Sequence, residues 1–582
     1  MKQWMVYNKK ADFKAVATKY SIDQVTARIL RNREINSDSQ IEEYLNGTLE
    51  EMHSPLFLPD AIRCMNQLDR SITDRRKIRI VGDYDVDGVC ATYILYRGLK
   101  RAGADADYVI PDRIRDGYGI NRNIIEEAAR DQVYTIITCD NGISAIEELK
   151  AARELGLNVL VTDHHDVRQR TEEDCGCESR DILPPASAVV DPKRESSRYP
   201  FPEICGAVVA WKMVQLLYQK RNIPAAEAMD MLEFAAIATV CDVVRLQDEN
   251  RLIVKYGLRK LSETENPGLR ALMEVTGLTE QAHLTTYHVG FVLGPCINAG
   301  GRLESAVTAL KLFLAEDHAD AFQRAVKLKE LNDARKDMTK SACTEAYEQA
   351  EQKYSGDSVL VVYLPGLHES LAGIVAGRLR ERYYKPSFVV TDAEETGDGV
   401  KMAKGSGRSI EGYPMADRLQ EVSDLLTKFG GHPMAAGFSL RAELVDAFRA
   451  ALNKNSRLTE EELTEKVWID VPMPVSYPDE ALVRDLEKLE PFGQGNEKPL
   501  FADRNLLIRS IRVLGRNRNA VKMELEGQGG GRVNAMLFTD GDAFLKEQAG
   551  KNRIDIIYYP AINEYNGTSS LQLTISDYRL KA

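Results

Sequence analysis

The hydrophobic pattern falls into three regimes along the 582 residues. From residue 77 to 192, short β-branched runs alternate with stretches of helical spacing, and each run stops at an acid. Residues 77–81 lead into Gly82-Asp83-Tyr84-Asp85-Val86-Asp87-Gly88, after which 89–99 has helical periodicity. Residues 134–139 end at Asp140-Asn141-Gly142, followed by helical spacing over 145–155. Residues 158–162 end at Asp163-His164-His165, and 186–190 end at Asp191-Pro192. Strands alternating with helices predict a mostly parallel sheet, whose ligands gather at the carboxyl ends of the strands. The acids are therefore expected on one edge.

The second regime opens with residues 306–354, rich in Ala, Leu, Lys and Glu and without Pro or Gly, which predicts a long connecting helix. A strand and helix pattern restarts at 359–362 and runs into two glycine-rich stretches, 405–409 and 430–432. Glycine allows close backbone approach, and exposed amides beside Arg and Ser can hold a phosphate, although a lone Gly-Xaa-Gly more often makes a turn. In the third regime, alternating runs at 467–471, 506–514, 520–526, 532–538, 554–559 and 570–575 predict a small antiparallel barrel. The first 70 residues look helical and polar, a packing cap. The expectation is an α/β protein: cap 1–70, parallel-sheet domain 71–305, connecting helix 306–355, second α/β domain 356–460, barrel 461–582.

Composition changes this picture little. With 44% hydrophobic and 28% charged residues the chain can bury several cores. Lys10, Asp12 and Lys14 interrupt the apolar residues near the start, and Asp242 interrupts the apolar stretch 234–244. Neither a signal nor a membrane span is expected, and a cytoplasmic location fits. Nine scattered cysteines fit a reducing compartment, and Cys175 with Cys177 lacks the second close pair that zinc would need. A net charge of −12 argues against a uniformly basic nucleic-acid coat but leaves room for a local groove.

Any one strand-ending Asp is most simply a helix cap. Asp83, Asp85, Asp87, Asp140, His164 and His165 on one edge would instead crowd like charges together, which is unfavourable without cations. Carboxylates with imidazoles and no paired thiolates suit Mn²⁺, with Mg²⁺ as the other candidate. Two ions would account for the number of ligands and support in-line phosphoryl displacement.

In this order, Asp83-Tyr-Asp-Val-Asp87, Cys139-Asp140-Asn-Gly142, Asp163-His164-His165 and Val240-Cys-Asp242 resemble the DHH phosphoesterase superfamily. The resemblance narrows to the bacterial RecJ single-strand exonucleases and covers nearly the whole chain. Further matches are Pro111-Asp-Arg113, Gly117-Tyr118-Gly119, Asn298-Ala-Gly-Gly-Arg302, Gly405-Ser406-Gly-Arg408-Ser409, Gly430-Gly431-His432 and Glu490-Pro-Phe-Gly-Gln-Gly-Asn496. It implies Asp83, Asp85, Asp87, Asp140, His164 and Asp242 as ligands of two ions, with Asp140 bridging. It implies Asp163 behind a histidine and His165 on the scissile phosphate. Arg113, Tyr118, Asn298, Arg302, Ser406, Arg408, Ser409, Gly431 and His432 are then substrate contacts, with Tyr118 either a stacking surface or a structural residue of its turn. The barrel resembles an oligonucleotide-binding fold, with Arg516, Arg518, Lys522 and Tyr565 as candidates on the strand.

The resemblance further implies 5′ to 3′ hydrolysis of single-stranded DNA in recombination and repair by a monomer. A single-strand-binding protein and a helicase are the expected partners, and no membrane is involved. Three departures touch affinity rather than the metal chemistry: Cys296 where Arg is frequent, Leu367 where Trp is frequent, and an insertion over 171–180. The rival readings are a phosphodiesterase of short RNA or cyclic dinucleotides, an inorganic pyrophosphatase, and an inert replication scaffold. The C-terminal barrel speaks against the first two, and the complete set of acids against the third.

Overall fold

The computed structural model describes the chain apart from residues 1, 171–179, 282, 394–398, 566–567 and 582, and apart from the side chains of 564, 565 and 568. Cys175, Cys177, most of the 171–180 insertion and the Tyr565 side chain thus lie outside the described residues; the seven described cysteines are free thiols. The chain forms two units. One comprises Met52–Val244 and Glu249–Glu465, the other Met1–Glu51, Arg245–Asp248 and Lys466–Ala582.

The larger unit contains a five-stranded, all-parallel sheet in the order Ala106–Val109, Ile78–Val81, Thr135–Cys139, Asn158–Thr162, Ala188–Val190. Its central strands are β-branched and buried on both faces, as a parallel sheet covered by helices requires. Ile124, Ile125 and Leu149 from one helical layer pack on Val81, Ile136, Val159 and Val161. Helices Val86–Arg101 and Gly206–Lys220 pack together, and both touch Thr135–Cys139. The chain passes from Ile78–Val81 to the edge strand Ala106–Val109, then returns to Thr135–Cys139 on the other side. The order therefore reverses between those two central strands, and a crevice opens at their carboxyl ends.

The expected connecting helix is broken. Val307–Phe313 ends early, and Asp317 caps a new helix, His318–Lys353, by accepting the amide of Asp320 at 2.9 Å. A second, mixed sheet comes next, in the order Lys428–His432, Ala435–Arg441, Met402–Arg408, Ser387–Ala393, Leu360–Tyr363. Residues 405–408 and 430–432 fall in strands of this sheet, not in turns or a phosphate loop. A Cβ on Gly405 would fall on the Phe438 ring, and one on Gly407 would meet Met415 Sδ and Phe388. These glycines let the Phe388–Phe438–Phe448 cluster close against the sheet.

In the smaller unit Phe501–Leu514, Ala520–Glu526, Arg532–Leu537, Thr568–Lys581 and Arg553–Tyr565 close into a barrel, the last strand returning to the first. Closure includes one parallel pairing, Arg532–Leu537 with Thr568–Lys581, within an otherwise antiparallel barrel. The stretch expected as one N-terminal cap divides. Gln24–Asn32 and Asp38–Asn46 bury Ile29, Leu30 and Ile41 in the barrel's core with Leu482, Leu486, Phe501 and Tyr558. Helix Ala61–Thr73 instead packs on Ala188–Val190 in the larger unit. Among the described residues no helix is long and apolar enough to cross a membrane.

Candidate metal centre and substrate cleft

The crevice at the sheet's switch point collects the acids foreseen from the strand ends. Asp83 follows Ile78–Val81, Asp140 follows Thr135–Cys139, and the Asp163-His164-His165 segment follows Asn158–Thr162. Asp242 arrives from a different kind of element, the C-terminus of the buried helix Leu232–Cys241. Three overlapping groups result, each with ligand atoms within 4.8 Å of one another: Asp83, Asp85 and Asp140; Asp87, His164 and Asp242; Asp140, His164 and His165. Asp140 belongs to two of them, which suits a bridging carboxylate. Its backbone is held in the left-handed region at φ +62, with its amide bonded to Thr162 and its carbonyl to Tyr118. That is a strained conformation maintained by its surroundings.

A divalent cation fits the donor atoms. His164 Nε2 stands 3.1 Å from Asp140 Oδ1, 3.5 Å from Asp87 Oδ2 and 3.7 Å from Asp242 Oδ2. Yet His164 Nε2, Asp140 Oδ1 and Asp83 Oδ1 are buried and make no hydrogen bond. Buried polar atoms are rarely left so, and lone pairs converging on one point are what a cation satisfies. Burial and then the neighbouring carboxylates push Asp83, Asp140 and Asp242 well above the usual carboxylate range. Burial also lowers His164 to about 4, leaving a neutral imidazole able to donate its lone pair. Oxygen and imidazole donors without thiolates point to Mn²⁺ or Mg²⁺.

Capping and ligation are combined in several of these residues. Asp85 accepts the Gly88 amide at 3.0 Å and so begins helix Val86–Arg101. Asp87 accepts the amides of Gly206 and Ala207, both at 2.7 Å, anchoring the start of Gly206–Lys220 beside the site. The simpler cap explanation is thus partly realised, in the same side chains that face His164 and Asp140.

Asp163 serves His165. Its Oδ1 accepts His165 Nδ1 at 2.7 Å, along with the amides of His164 and His165, and its Oδ2 accepts the Ile143 amide. Burial alone would lower His165, but its bond and ion pair with Asp163 outweigh it and raise it to about 9. For Asp163, burial is likewise outweighed by His165, and it stands near 2. The Tyr118 hydroxyl donates to the Asp140 carbonyl at 2.8 Å and lies 3.1 Å from His165 Nδ1, bracing both catalytic segments. Asp191 is a buried strand terminus whose Oδ1 accepts the Lys193 amide.

Beside this centre a cleft of about 570 Å³ runs between Tyr84 and the second sheet. Its lining carries five cations, Arg113, Arg302, Lys404, Arg408 and Lys428, against one acid, Glu369, which pairs with Lys404 at 2.7 Å. Arg113 lies over the Tyr84 ring at 4.6 Å, and Arg302 donates to the Ser370 carbonyl at 2.7 Å. Burial and then the like charges of Arg113, Arg335 and Arg408 lower Arg302 to about 10. Ser406 lines the same cleft, 3.4 Å from Arg408 Nη1. A Cβ on Gly373 would meet Arg408 Nη2 and Ser406 Oγ at 2.9 and 3.0 Å, so the bare backbone there leaves the pair its space.

The other expected contacts are not in the lining of this cleft. Ser409 is buried and its hydroxyl donates to the Tyr413 carbonyl, closing a turn away from the cleft. His432 is exposed, with Nδ1 3.9 Å from Asp166 Oδ2, just past His165. Gly431 sits in a hairpin where a Cβ would strike the backbone of Ala435 and Ala436, a packing reason for glycine. Asn298 is half-buried on helix Gly294–Leu303. On the barrel, Arg518 forms a two-pronged bond with Asp542, while Arg516 is exposed and Lys522 half-buried. Lys404, third in Met402–Arg408, and Lys428, first in Lys428–His432, were not among the expected contacts, although alternation puts Lys404 on the face of Ser406 and Arg408. Nor was Arg335 on His318–Lys353. The Cys296 thiol is buried and bonded by Asn332 Nδ2 at 3.3 Å, and Arg335 brings a guanidinium to the neighbourhood where Arg was expected at 296. Leu367 packs, half-buried, against the core under the second sheet.

Comparison with known proteins places these features together. Residues 77–239 match the DHH family N-terminal domain, 356–457 the DHHA1 domain, and 469–577 the RecJ OB domain. The chain is 33% identical over 578 residues to the single-stranded-DNA-specific exonuclease RecJ of Bacillus subtilis, covering 99% of this chain and 70% of that one. It is 30% identical to the Escherichia coli exonuclease of the same name, covering 94% and 95%. Crystal structures of Thermus thermophilus RecJ with Mn²⁺ and with Mg²⁺ superpose with TM-scores of 0.82 and 0.75 at 26% and 25% identity. Each spans 99% of this chain and somewhat under four fifths of its counterpart.

Proposed function

The chain belongs to the RecJ family of single-stranded-DNA-specific exonucleases, and from that premise we propose that it hydrolyses single-stranded DNA from the 5′ end, releasing nucleotides, in recombination and repair. The observation that carries this reading is the crevice itself. Buried carboxylate and imidazole lone pairs converge there without hydrogen bonds, next to a cleft whose cations outnumber its acids five to one. Two Mn²⁺ or Mg²⁺ ions bound there would supply Lewis-acid activation of water and charge neutralisation on the phosphate.

Asp83, Asp85, Asp140, His164 and Asp242 would hold the ions, and Asp87 would lend what lone-pair capacity its two helix amides leave. His165, oriented by the bond from its Nδ1 to Asp163, would donate from its other ring nitrogen to a phosphate oxygen. Arg113, Arg302 and Arg408, with Ser406, grip a terminal phosphate; guanidinium geometry suits that task better than lysine would. Such a grip gives a reason for starting at a strand end. A polymer substrate, rather than a dinucleotide, is favoured by the closed barrel of the smaller unit, since OB-type barrels track single strands. We place the enzyme in the cytoplasm as a monomer, working where a helicase or single-strand-binding protein presents unpaired DNA. The test is Asp140→Ala, which is expected to abolish metal-dependent digestion while the far-UV spectrum and melting remain native. Parental activity in that variant would overturn the assignment.

A further inference from the structure

The smaller unit carries a cavity of about 720 Å³ that the exonuclease reading leaves unused. Trp4 and Val6 of the Gln3–Val6 strand form one wall, Ile469 and Pro472 to Pro474 another, and Arg504 with the loop at Gly527 and Gly529 a third. Strand geometry explains the wall. Gln3–Val6 pairs in parallel with Lys466–Ile469, Val6 opposite Ile469, so Trp4, Val6 and Ile469 share one face. Met5 and Trp468 share the opposite face, where Tyr7 stacks on Trp468 at 4.9 Å.

The Trp4 indole is fixed in place. Its Nε1 donates to Asp577 Oδ2 at 2.7 Å, and the Arg579 guanidinium lies over the ring at 4.2 Å. A large aromatic side chain immobilised from behind and lining an open cavity can stack on a planar ligand without further ordering cost. Asp503, the one acid of the lining, is turned to backbone amides, accepting from Val475 at 2.8 Å and Arg504 at 2.7 Å. Gly529 has open space where a Cβ would sit, so the loop backbone is free to approach a phosphate closely.

Resting on the exonuclease reading, we propose that this cavity is a second DNA subsite, taking one unpaired nucleobase against Trp4 with its phosphate toward Arg504 and the glycine loop. Stacking suits a sequence-independent enzyme, because every base offers a π-face. The site lies at the junction of the N-terminal strand with the barrel and is not lined by Arg516, Arg518 or Lys522, the candidates that the oligonucleotide-binding-fold resemblance supplied.

The tryptophans give a direct readout. The chain has three; Trp211 is fully buried and Trp468 is 43% exposed. Asp140→Ala protein in EDTA, which cannot digest its ligand, is titrated with oligothymidylate while tryptophan fluorescence is followed. The expected result is quenching that disappears in Trp4→Phe and persists in Trp468→Phe, with affinity about tenfold weaker in Trp4→Leu. Gly529→Asp guards against misfolding of the tryptophan variants, since it adds charge in open space. It is expected to weaken binding severalfold at unchanged melting temperature. Quenching that survives Trp4→Phe, or unaltered affinity in Gly529→Asp, overturns the subsite. So does quenching of Trp4 by a proline-rich peptide but not by DNA, which would make the cavity a peptide site. Hydrolysis of a dinucleotide by the unaltered chain, measured alongside, reports on the metal centre separately.

Discussion

Gly206→Ala tests whether the metal centre depends on a fit finer than its ligand set. Gly206 opens helix Gly206–Lys220, and a Cβ there would lie 2.7 Å from Asp140 Cβ, 2.8 Å from its Oδ1 and 2.9 Å from its Cα. Ordinary contact begins at 3.4 Å, so something must open by about 0.7 Å (3.4 − 2.7). The helix is tethered by two 2.7 Å bonds to Asp87, and Asp140 by its bonds to Thr162 and Tyr118. Helix propensity alone favours Ala over Gly by up to about 1 kcal/mol. Overpacking costs about 1–3 kcal/mol, so the melting temperature should fall or hold rather than rise. Displacing a catalytic group by about 1 Å can cost on the order of a hundredfold, and a shift of this size should lower kcat by roughly 10- to 100-fold. Initial rates on end-labelled single-stranded DNA, with a Mn²⁺ titration and a melting curve, measure all three. Parental kcat and Mn²⁺ dependence together with a raised melting temperature would refute the reasoning.

Other perturbations address other parts of the molecule. Tyr118→Phe keeps the ring but loses the bonds to the Asp140 carbonyl and His165; leaving that carbonyl unpaired costs about 1–3 kcal/mol, so a tenfold or larger fall in kcat is expected. Unchanged kcat would make the ring, not the hydroxyl, the working part. Arg408→Ala should raise KM more for 5′-phosphorylated than for 5′-hydroxyl strands, and equal effects on both would remove it from the phosphate grip. Glu233 is buried with one oxygen bonded to Thr264 and the other unpaired, and burial raises it to about 7 from 4.5. Because its folded value lies above the unfolded one, the stability it supports is present below about pH 4.5 and lost as pH rises to about 7. That is worth about 3 kcal/mol. Glu233→Gln should flatten the melting temperature across that window, and an unaltered pH profile would contradict the assignment.

Much of this centre was legible in the sequence because parallel strands make a one-dimensional signal. A β-branched run that stops at Asp marks the carboxyl end of a buried strand, and topology brings those ends to one edge. Asp83, Asp140 and the Asp163-His164-His165 segment came from that rule alone. Asp242 lacks the signal, since it ends a helix, and only the family pattern brought it in. The glycine-rich strands misled in the opposite direction. Turn, phosphate loop and strand are equally compatible with Gly-Xaa-Gly, and what decided among them was Phe438 and Phe388 needing room across the sheet, a contact 30 residues and more removed for Gly405. Ser409 failed for a similar reason: alternation cannot show that a hydroxyl is taken by the Tyr413 carbonyl. The division of the first 70 residues was equally hidden, because an amphipathic helix announces a buried face but not which core buries it.

The most direct test of the central claim is the digestion of a long single-stranded DNA labelled at either end, with Mn²⁺ and with EDTA, beside a duplex and an RNA of equal length. Metal-dependent release of mononucleotides from the 5′ end of the single-stranded DNA, with the duplex spared, is the predicted result. Digestion that proceeds in EDTA, begins at the 3′ end, or is confined to dinucleotides and short RNA would contradict it.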